Sequence, residues 1–290
     1  MGLKVFFNGK LMNREMATVS IFDHGLLYGD GAFEGIRSYS RRVFRLKEHM
    51  DRLFASASAI RLDIGMTKKE LSDAVLLTLK ANKLDDSYIR VVATRGPGDL
   101  GLDPRKCRKA TVFIITDKIK LYPEELYENG MPIIISKTRR NHPLCIDPRI
   151  KSLNYLNNIL AKIEATSAGT EEALMLSVEG YVVECTGDNI FLVKGGRLIT
   201  PPGELGALEG ITQDAVIEIA KKRKIKVERK AMRPGELFKA DECFLTGTAA
   251  EIIPVVKIDK KRIGSGKPGP VTRMLRQDFH ALTKRTGAKY

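Results

Sequence analysis

The sequence predicts an α+β fold in two domains, and three observations carry that expectation. Segments with helical periodicity are interspersed with strand hairpins instead of alternating in regular strand–helix–strand units. Asn8-Gly9, Glu179-Gly180 and Gly195-Gly196 stand between apolar runs, where tight turns need residues that accept positive φ. The pattern also breaks between Lys118 and Met131, a stretch holding Pro123 and Gly130. With 290 residues and 43% hydrophobic content, the chain has material for two ordinary cores. The expected division is a small domain over residues 1–118, a linker over 119–131 and a larger domain over 132–290.

The elements follow in chain order. Val5-Phe6-Phe7 and Leu11-Met12 flank Asn8-Gly9 and read as a hairpin. Residues 46–60 place Leu46, Met50, Leu53, Phe54 and Ala57 on one helical face. Residues 67–82 read as a second helix, opened by Thr67 with Glu70 three residues on, a capping-box pattern. Strands are expected at 88–94 and 110–116, then at 132–137. A helix over about 154–168 presents Leu156, Ile159, Leu160 and Ile163. Short strands follow at 172–177, 181–184, 189–194 and 197–200, then a helix at 212–222, a strand at 242–246 and a terminal helix at 269–285.

Composition narrows the function class. The net charge of +14 favours anionic partners, whether nucleic acid, phosphate-bearing cofactors or carboxylates. Its local clusters, Arg41–Arg42, Lys221–Lys224 and Lys260–Arg262, fall in turns or helix ends without interleaved aromatics, which favours a plain solvated surface. Cys107, Cys145, Cys185 and Cys243 are far apart, and His24, His49, His142 and His280 lack metal-ligand spacing. These features point to a reducing cytoplasm and no metal centre. No signal-peptide region or membrane-length apolar run is seen. Two glutamines, no tryptophan and abundant Lys and Ile hint at a thermophilic source.

Four places offer chemistry. Lys151 lies between Ile150 and Ser152-Leu153-Asn154 with no carboxylate near it on the C-terminal side. A neutral amine is what Schiff-base chemistry requires, although a surface lysine fits the same local sequence. Tyr155, four residues on, shares a face with Lys151 if a helix starts there. Gly210-Ile211-Thr212 opens an amphipathic helix, whose free N–H groups suit an anion; an ordinary threonine N-cap is the alternative. Thr246-Gly247-Thr248-Ala249 follows an apolar strand and offers N–H groups and a hydroxyl, or simply a turn. Glu184 ends an apolar strand; if buried it needs a cationic partner, and a protonated pyridine nitrogen would be one.

Taken in order, these segments resemble the class IV (fold-type IV) pyridoxal-phosphate (PLP) aminotransferases, most closely the branched-chain amino-acid aminotransferases. The resemblance runs from about residue 5 to 280. It rests on Tyr28 through Arg37, His49-Met50-Asp51-Arg52-Leu53, Tyr88-Ile89-Arg90, Lys151 through Tyr155, Glu184 through Phe191, Gly210-Ile211-Thr212 and Thr246 through Glu251. It implies a small N-terminal α/β domain and a larger, mixed, β-barrel-like C-terminal domain. It also implies that Lys151 holds PLP covalently, that Tyr155 meets the ring's phenolic oxygen and that Glu184 meets the pyridine nitrogen. Arg52, Gly210, Ile211, Thr212 and Thr248 would hold the phosphate, and Leu208 would pack on the ring. Tyr88 with the N–H groups of Thr248 and Ala249 would take the substrate α-carboxylate. Phe33, Gly35 and Tyr155, together with Tyr28 and Leu102 from a neighbouring subunit, would enclose an apolar side chain, and Arg90 would meet the distal carboxylate of glutamate. At least a homodimer follows.

Two positions depart from the family pattern. Gln213 stands where arginine is frequent, with a peripheral effect expected, and Lys151 and Tyr155 are one residue closer than in some branched-chain enzymes. That shorter spacing also occurs in D-amino-acid aminotransferases, the nearest alternative, which Thr94-Arg95-Gly96 resembles too. Against it stand Arg90, where that family usually has glutamine, and a 97–104 loop without histidine. Aminodeoxychorismate lyase fits Tyr88-Ile89-Arg90 less well. A non-enzymatic basic nucleic-acid-binding protein is the reading from a different class.

Overall fold

The computed structural model describes residues 2–119 and 121–290, and the chain separates into two compact units. The first comprises Met1–Ile119, Ile150–Tyr155 and Thr283–Tyr290; the second comprises Lys120–Arg149 and Leu156–Leu282. The division at 119–131 expected from the sequence therefore misses two later segments that fold with the first unit. The stretch read as a linker also carries regular structure, a helix at Glu124–Asn129.

The first unit contains β1 (Lys4–Phe7), β2 (Lys10–Asn13), α1 (His24–Tyr28), β3 (Gly31–Tyr39), β4 (Arg42–Val43), α2 (Leu46–Ala59), α3 (Lys68–Asn82), β5 (Ser87–Thr94) and β6 (Thr111–Asp117). With the terminal strand Ala288–Lys289 they form a seven-stranded sheet, ordered terminal strand–β4–β3–β5–β6–β1–β2. Asn8 and Gly9 both take positive φ in the β1–β2 turn. Thr67 and Glu70 form the reciprocal capping box at the start of α3. Along β3, Ala32, Ile36 and Ser38 face the α2–α3 side, where Leu53, Leu71 and Leu79 are fully buried. Each such leucine contributes about 2–3 kcal/mol by leaving water.

The second unit contains α4 (Glu124–Asn129), β7 (Met131–Ile135), α5 (Leu156–Ser167), β8 (Glu172–Leu176), β9 (Val182–Cys185), β10 (Asn189–Lys194), β11 (Arg197–Thr200), α6 (Ile211–Lys222), β12 (Val227–Arg229), α7 (Pro234–Leu237), β13 (Glu242–Gly247), β14 (Glu251–Ile258), β15 (Lys261–Arg262) and α8 (Pro270–Arg285). Its nine-stranded sheet runs β12–β11–β10–β13–β14–β7–β8–β9, with β15 on β14. Neighbours pair antiparallel except β11–β12, β14–β7 and β7–β8.

One expected face is inverted. Leu156, Ile159, Leu160 and Ile163 of α5 are exposed, whereas Asn158, Ala161 and Ala165 are buried. Periodicity locates an apolar stripe but does not say what covers it. Here small residues let the helix pack closely on β8. Among the described residues no helix is long and apolar enough to cross a membrane.

Candidate active site

In the first unit the site is set by strand alternation. On β3 the residues Phe33 and Gly35 point away from the helices, and the β3–β5 register sets Gly35 against Arg90 and Arg37 against Tyr88. Tyr88, Arg90, Phe33 and Gly35 therefore share one face. A Cβ on Gly35 would lie 2.1 Å from the Tyr88 hydroxyl, so glycine is what lets that ring lie there. Arg90 donates to Tyr88 Oη at 3.1 Å and sits 4.6 Å from the Phe33 ring centroid.

Lys151 reaches this face from a strap with no helix. The Phe33 N–H donates to the Lys151 carbonyl at 3.0 Å, and the Leu153 N–H donates to Gly31 O at 2.9 Å. The Lys151 N–H donates to Ser56 Oγ of α2 at 3.1 Å. The condition for a shared helical face of Lys151 and Tyr155 is not met, because α5 starts only at Leu156. The two still meet: Lys151 Nζ donates to Tyr155 Oη at 3.0 Å. The amine also lies 4.7 Å from the Phe33 centroid, and the Phe33 and Tyr155 rings meet edge-on at 5.0 Å.

Behind this face α2 supplies a buried ion pair. Arg52 forks onto Glu34, Nε to Oε1 at 2.7 Å and Nη2 to Oε2 at 2.8 Å, and His49 Nδ1 meets Oε2 at 2.7 Å. Burial opposes the Glu34 charge, but Arg52 and His49 outweigh it and bring its pKa down to about 2. Burial, against the pull of Glu34, pushes the His49 pKa down.

In the second unit Glu184 lies near the end of β9 and is buried. Arg140 Nε donates to its Oε1 at 2.8 Å, and the Leu208 N–H donates to its Oε2 at 2.9 Å. Asn189, opening β10, reaches the same Oε2 at 3.4 Å and donates to the Leu208 carbonyl at 2.8 Å. The turn between β9 and β10 also lies against Gly210, before α6, and Gly247, at the end of β13. Asn189 Oδ1 lies 2.0 Å from where a Gly210 Cβ would stand, and Asp188 Oδ1 lies 1.8 Å from a Gly247 Cβ. A larger residue at either place would push the Asn189 or Asp188 side chain aside.

Gly210 is the N-cap of α6, with no side-chain cap, and Ile211 and Thr212 behind it are buried. A helix start without a side-chain cap leaves its first N–H groups to other partners, and an anion is one that suits them. Thr212 is therefore the second helical residue and not the N-cap. Gln213 is buried on α6 and donates to Thr200 Oγ1 at 3.0 Å. Thr248 and Ala249 fall in the turn after β13, and the buried Thr246 Oγ1 before them has no hydrogen-bond partner. Beneath the β9–β10 turn, burial first and then Asp188 push the Glu172 pKa up, while Thr186 donates its N–H and hydroxyl to that carboxylate.

Within each unit most of the expected residues come together: Phe33, Gly35, Tyr88, Arg90, Lys151 and Tyr155 on one face of the first, with Arg52 behind it on Glu34, and Glu184, Leu208, Gly210, Ile211 and Thr212 in the second. Tyr28 stands apart, half exposed, with its hydroxyl donating to Leu100 O at 2.7 Å, and Leu102 is 78% exposed. Sequence reasoning missed Glu34, Asn189 and Arg140. Only Arg140 had a signal, the cation that a buried Glu184 requires.

Comparison with known proteins places the chain. The class IV amino-transferase family matches residues 31–258. A Methanocaldococcus jannaschii protein, provisionally assigned as a branched-chain-amino-acid aminotransferase, is 50% identical over 287 residues, 99% of each chain. The crystal structure of the Escherichia coli branched-chain amino-acid aminotransferase matches with a TM-score of 0.96 at 36% identity, covering 99% of this chain and 97% of that one. The T.th. branched-chain amino acid aminotransferase with pyridoxamine 5′-phosphate matches with a TM-score of 0.94 at 37% identity, covering 98% and 95%. The fold-type IV architecture expected from the sequence holds along nearly the whole chain, and the chain belongs to the class IV aminotransferase family.

Proposed function

We propose that the chain is a PLP-dependent branched-chain-amino-acid transaminase. It moves the amino group of L-leucine, L-isoleucine or L-valine to 2-oxoglutarate, giving branched-chain 2-oxo acids and L-glutamate. The observation that carries the reading is the first-unit constellation: a lysine amine 3.0 Å from a phenol, on a face where Phe33 lies beneath both Lys151 and Arg90. That face offers apolar surface for a branched side chain and one cation for a carboxylate. Relatives named for this activity support it.

The donor set fits the cofactor. Lys151 offers a primary amine for an aldehyde, Glu184 a buried carboxylate for a ring nitrogen, and Tyr155 a phenol for the ring oxygen. Arg52, Thr248 and the uncapped start of α6 at Gly210, Ile211 and Thr212 suit a phosphate, and Leu208, fixed by Glu184 and Asn189, suits a ring face. When bound, PLP draws off the electron pair released at the substrate α-carbon and carries the amino group between half-reactions. Lys151 Nζ takes and returns the α-carbon proton, and Tyr155 Oη orients that amine. Tyr88 and the Thr248 and Ala249 N–H groups hold the α-carboxylate. Arg90, steadied by Tyr88 Oη and the Phe33 ring, takes the distal carboxylate of glutamate. Ping-pong kinetics follow.

We further propose a homo-oligomer in which Tyr28 and Leu102 complete a neighbour's pocket. The exposed apolar residues Ile21, Phe22, Leu26, Leu100 and Leu102 support it. A cytoplasmic location suits four free cysteines. The test is a panel of L-leucine, L-isoleucine, L-valine and D-alanine with 2-oxoglutarate. The three L-substrates are expected to turn over. A clear preference for D-alanine would instead make this a D-amino-acid aminotransferase.

A further inference from the structure

We propose that Arg140 is a positioning residue for the cofactor's ring nitrogen: it keeps Glu184 ionised and holds its carboxylate in one orientation. The inference rests on the reading above that Glu184 meets that nitrogen.

Glu184 is 5% exposed and Arg140 6% exposed, so neither charge is shared with water. A lone carboxylate at such a place would take up a proton, because desolvation penalises the charged form. A neutral carboxylic acid cannot keep a pyridine nitrogen protonated. Arg140 removes that outcome with a 2.8 Å contact from Nε to Oε1.

The guanidinium does not depend on Glu184 for its place. Its Nη1 donates to Asn157 Oδ1 at 3.1 Å and Asn158 Oδ1 at 3.0 Å, both on α5. Its own N–H donates to Leu176 O at 2.9 Å. Asn157 donates to Arg139 O at 2.7 Å and Asn158 to Thr186 O at 2.8 Å, so the two amides are themselves fixed. Arg140 is a preset cation to which Glu184 is fitted, and Oε2 is oriented by the Leu208 N–H and Asn189. A lysine supplies the charge but not the fork that spans Glu184 and both asparagines.

The experiment loads wild type, R140K, R140Q, E184Q and R140Q/E184Q with PLP labelled with 15N in the ring, and reads the ring-nitrogen chemical shift. Wild type is expected to show a protonated nitrogen and E184Q an unprotonated one. R140Q should move most of the way towards E184Q and R140K part of the way, and the double variant should match E184Q alone. In R140Q the dissociation constants of PLP and of pyridoxal should rise by the same factor, about 10- to 100-fold for the loss of one hydrogen bond to a charged group, because the phosphate is not involved. Apo-R140Q should melt below wild type and recover when Glu184→Gln removes the charge that Arg140 offset.

A wild-type shift in R140Q, with E184Q unprotonated, overturns the role of Arg140 and leaves that of Glu184 standing. An unchanged shift in E184Q overturns the reading of Glu184 itself. If R140Q does not fold, R140K decides: an intermediate shift supports the role and a wild-type shift overturns it.

Discussion

Glu34→Gln tests the electrostatics of the first unit. The carboxylate is fully buried, with its pKa lowered from 4.5 to about 2, so its ionised form is favoured in the native state by roughly 3 kcal/mol. The sign follows from the lowered value. A carboxylate depressed on folding contributes stability above its unfolded pKa and loses it as pH falls towards the folded one. Glutamine keeps the shape and one acceptor but removes the charge onto which Arg52 forks. The variant apoprotein should therefore be less stable than wild type by about 3 kcal/mol at pH 7. The gap should narrow by about 1 kcal/mol between pH 5.5 and 3.5, as the unfolded wild-type chain takes up a proton on Glu34 that the folded state does not. Urea unfolding of both apoproteins, followed by circular dichroism at half-unit pH steps, measures it. A gap that does not change from pH 7 to 3.5 would refute the assignment of the charge to Glu34.

Three further outcomes follow from the same geometry. Tyr155→Phe removes the hydroxyl 3.0 Å from Lys151 Nζ and should lower kcat about 10²-fold with little change in fold, read by steady-state kinetics and circular dichroism. Gly35→Ala puts a Cβ 2.1 Å from Tyr88 Oη and should raise KM for amino and oxo acids alike while leaving the PLP dissociation constant near wild type. Glu172 has a raised pKa, so its contribution to stability is present in acid and is lost as pH rises through that value. Glu172→Gln should therefore melt above wild type in alkali and near it in mild acid; equal alkaline melting temperatures would count against the buried-acid account.

What was legible in the sequence was local. The Asn8-Gly9 turn, the Thr67–Glu70 capping box and the hairpin of β10 and β11 are decided within a few residues, and they stand where the pattern put them. The elements that went unread are decided by distant neighbours. β3 mixes Gly31, Gly35 and Glu34 into one strand and becomes legible only against β5 and α2. β14 carries Pro254 in mid-strand, opposite Phe244. The site divides the same way. Lys151, Tyr155 and Glu184 could be singled out because the motifs around them stand in a family's order. Glu34 meets Arg52 from 18 residues away and Arg140 meets Glu184 from 44, beyond the reach of any local pattern.

The central claim is that Lys151 carries the cofactor. Borohydride reduction of the PLP-loaded protein, followed by peptide mass mapping, tests it directly. The account predicts one pyridoxyl label, on Lys151, with loss of the bound chromophore in Lys151→Ala. A label on another lysine, or a Lys151→Ala protein that keeps its chromophore and activity, would contradict it.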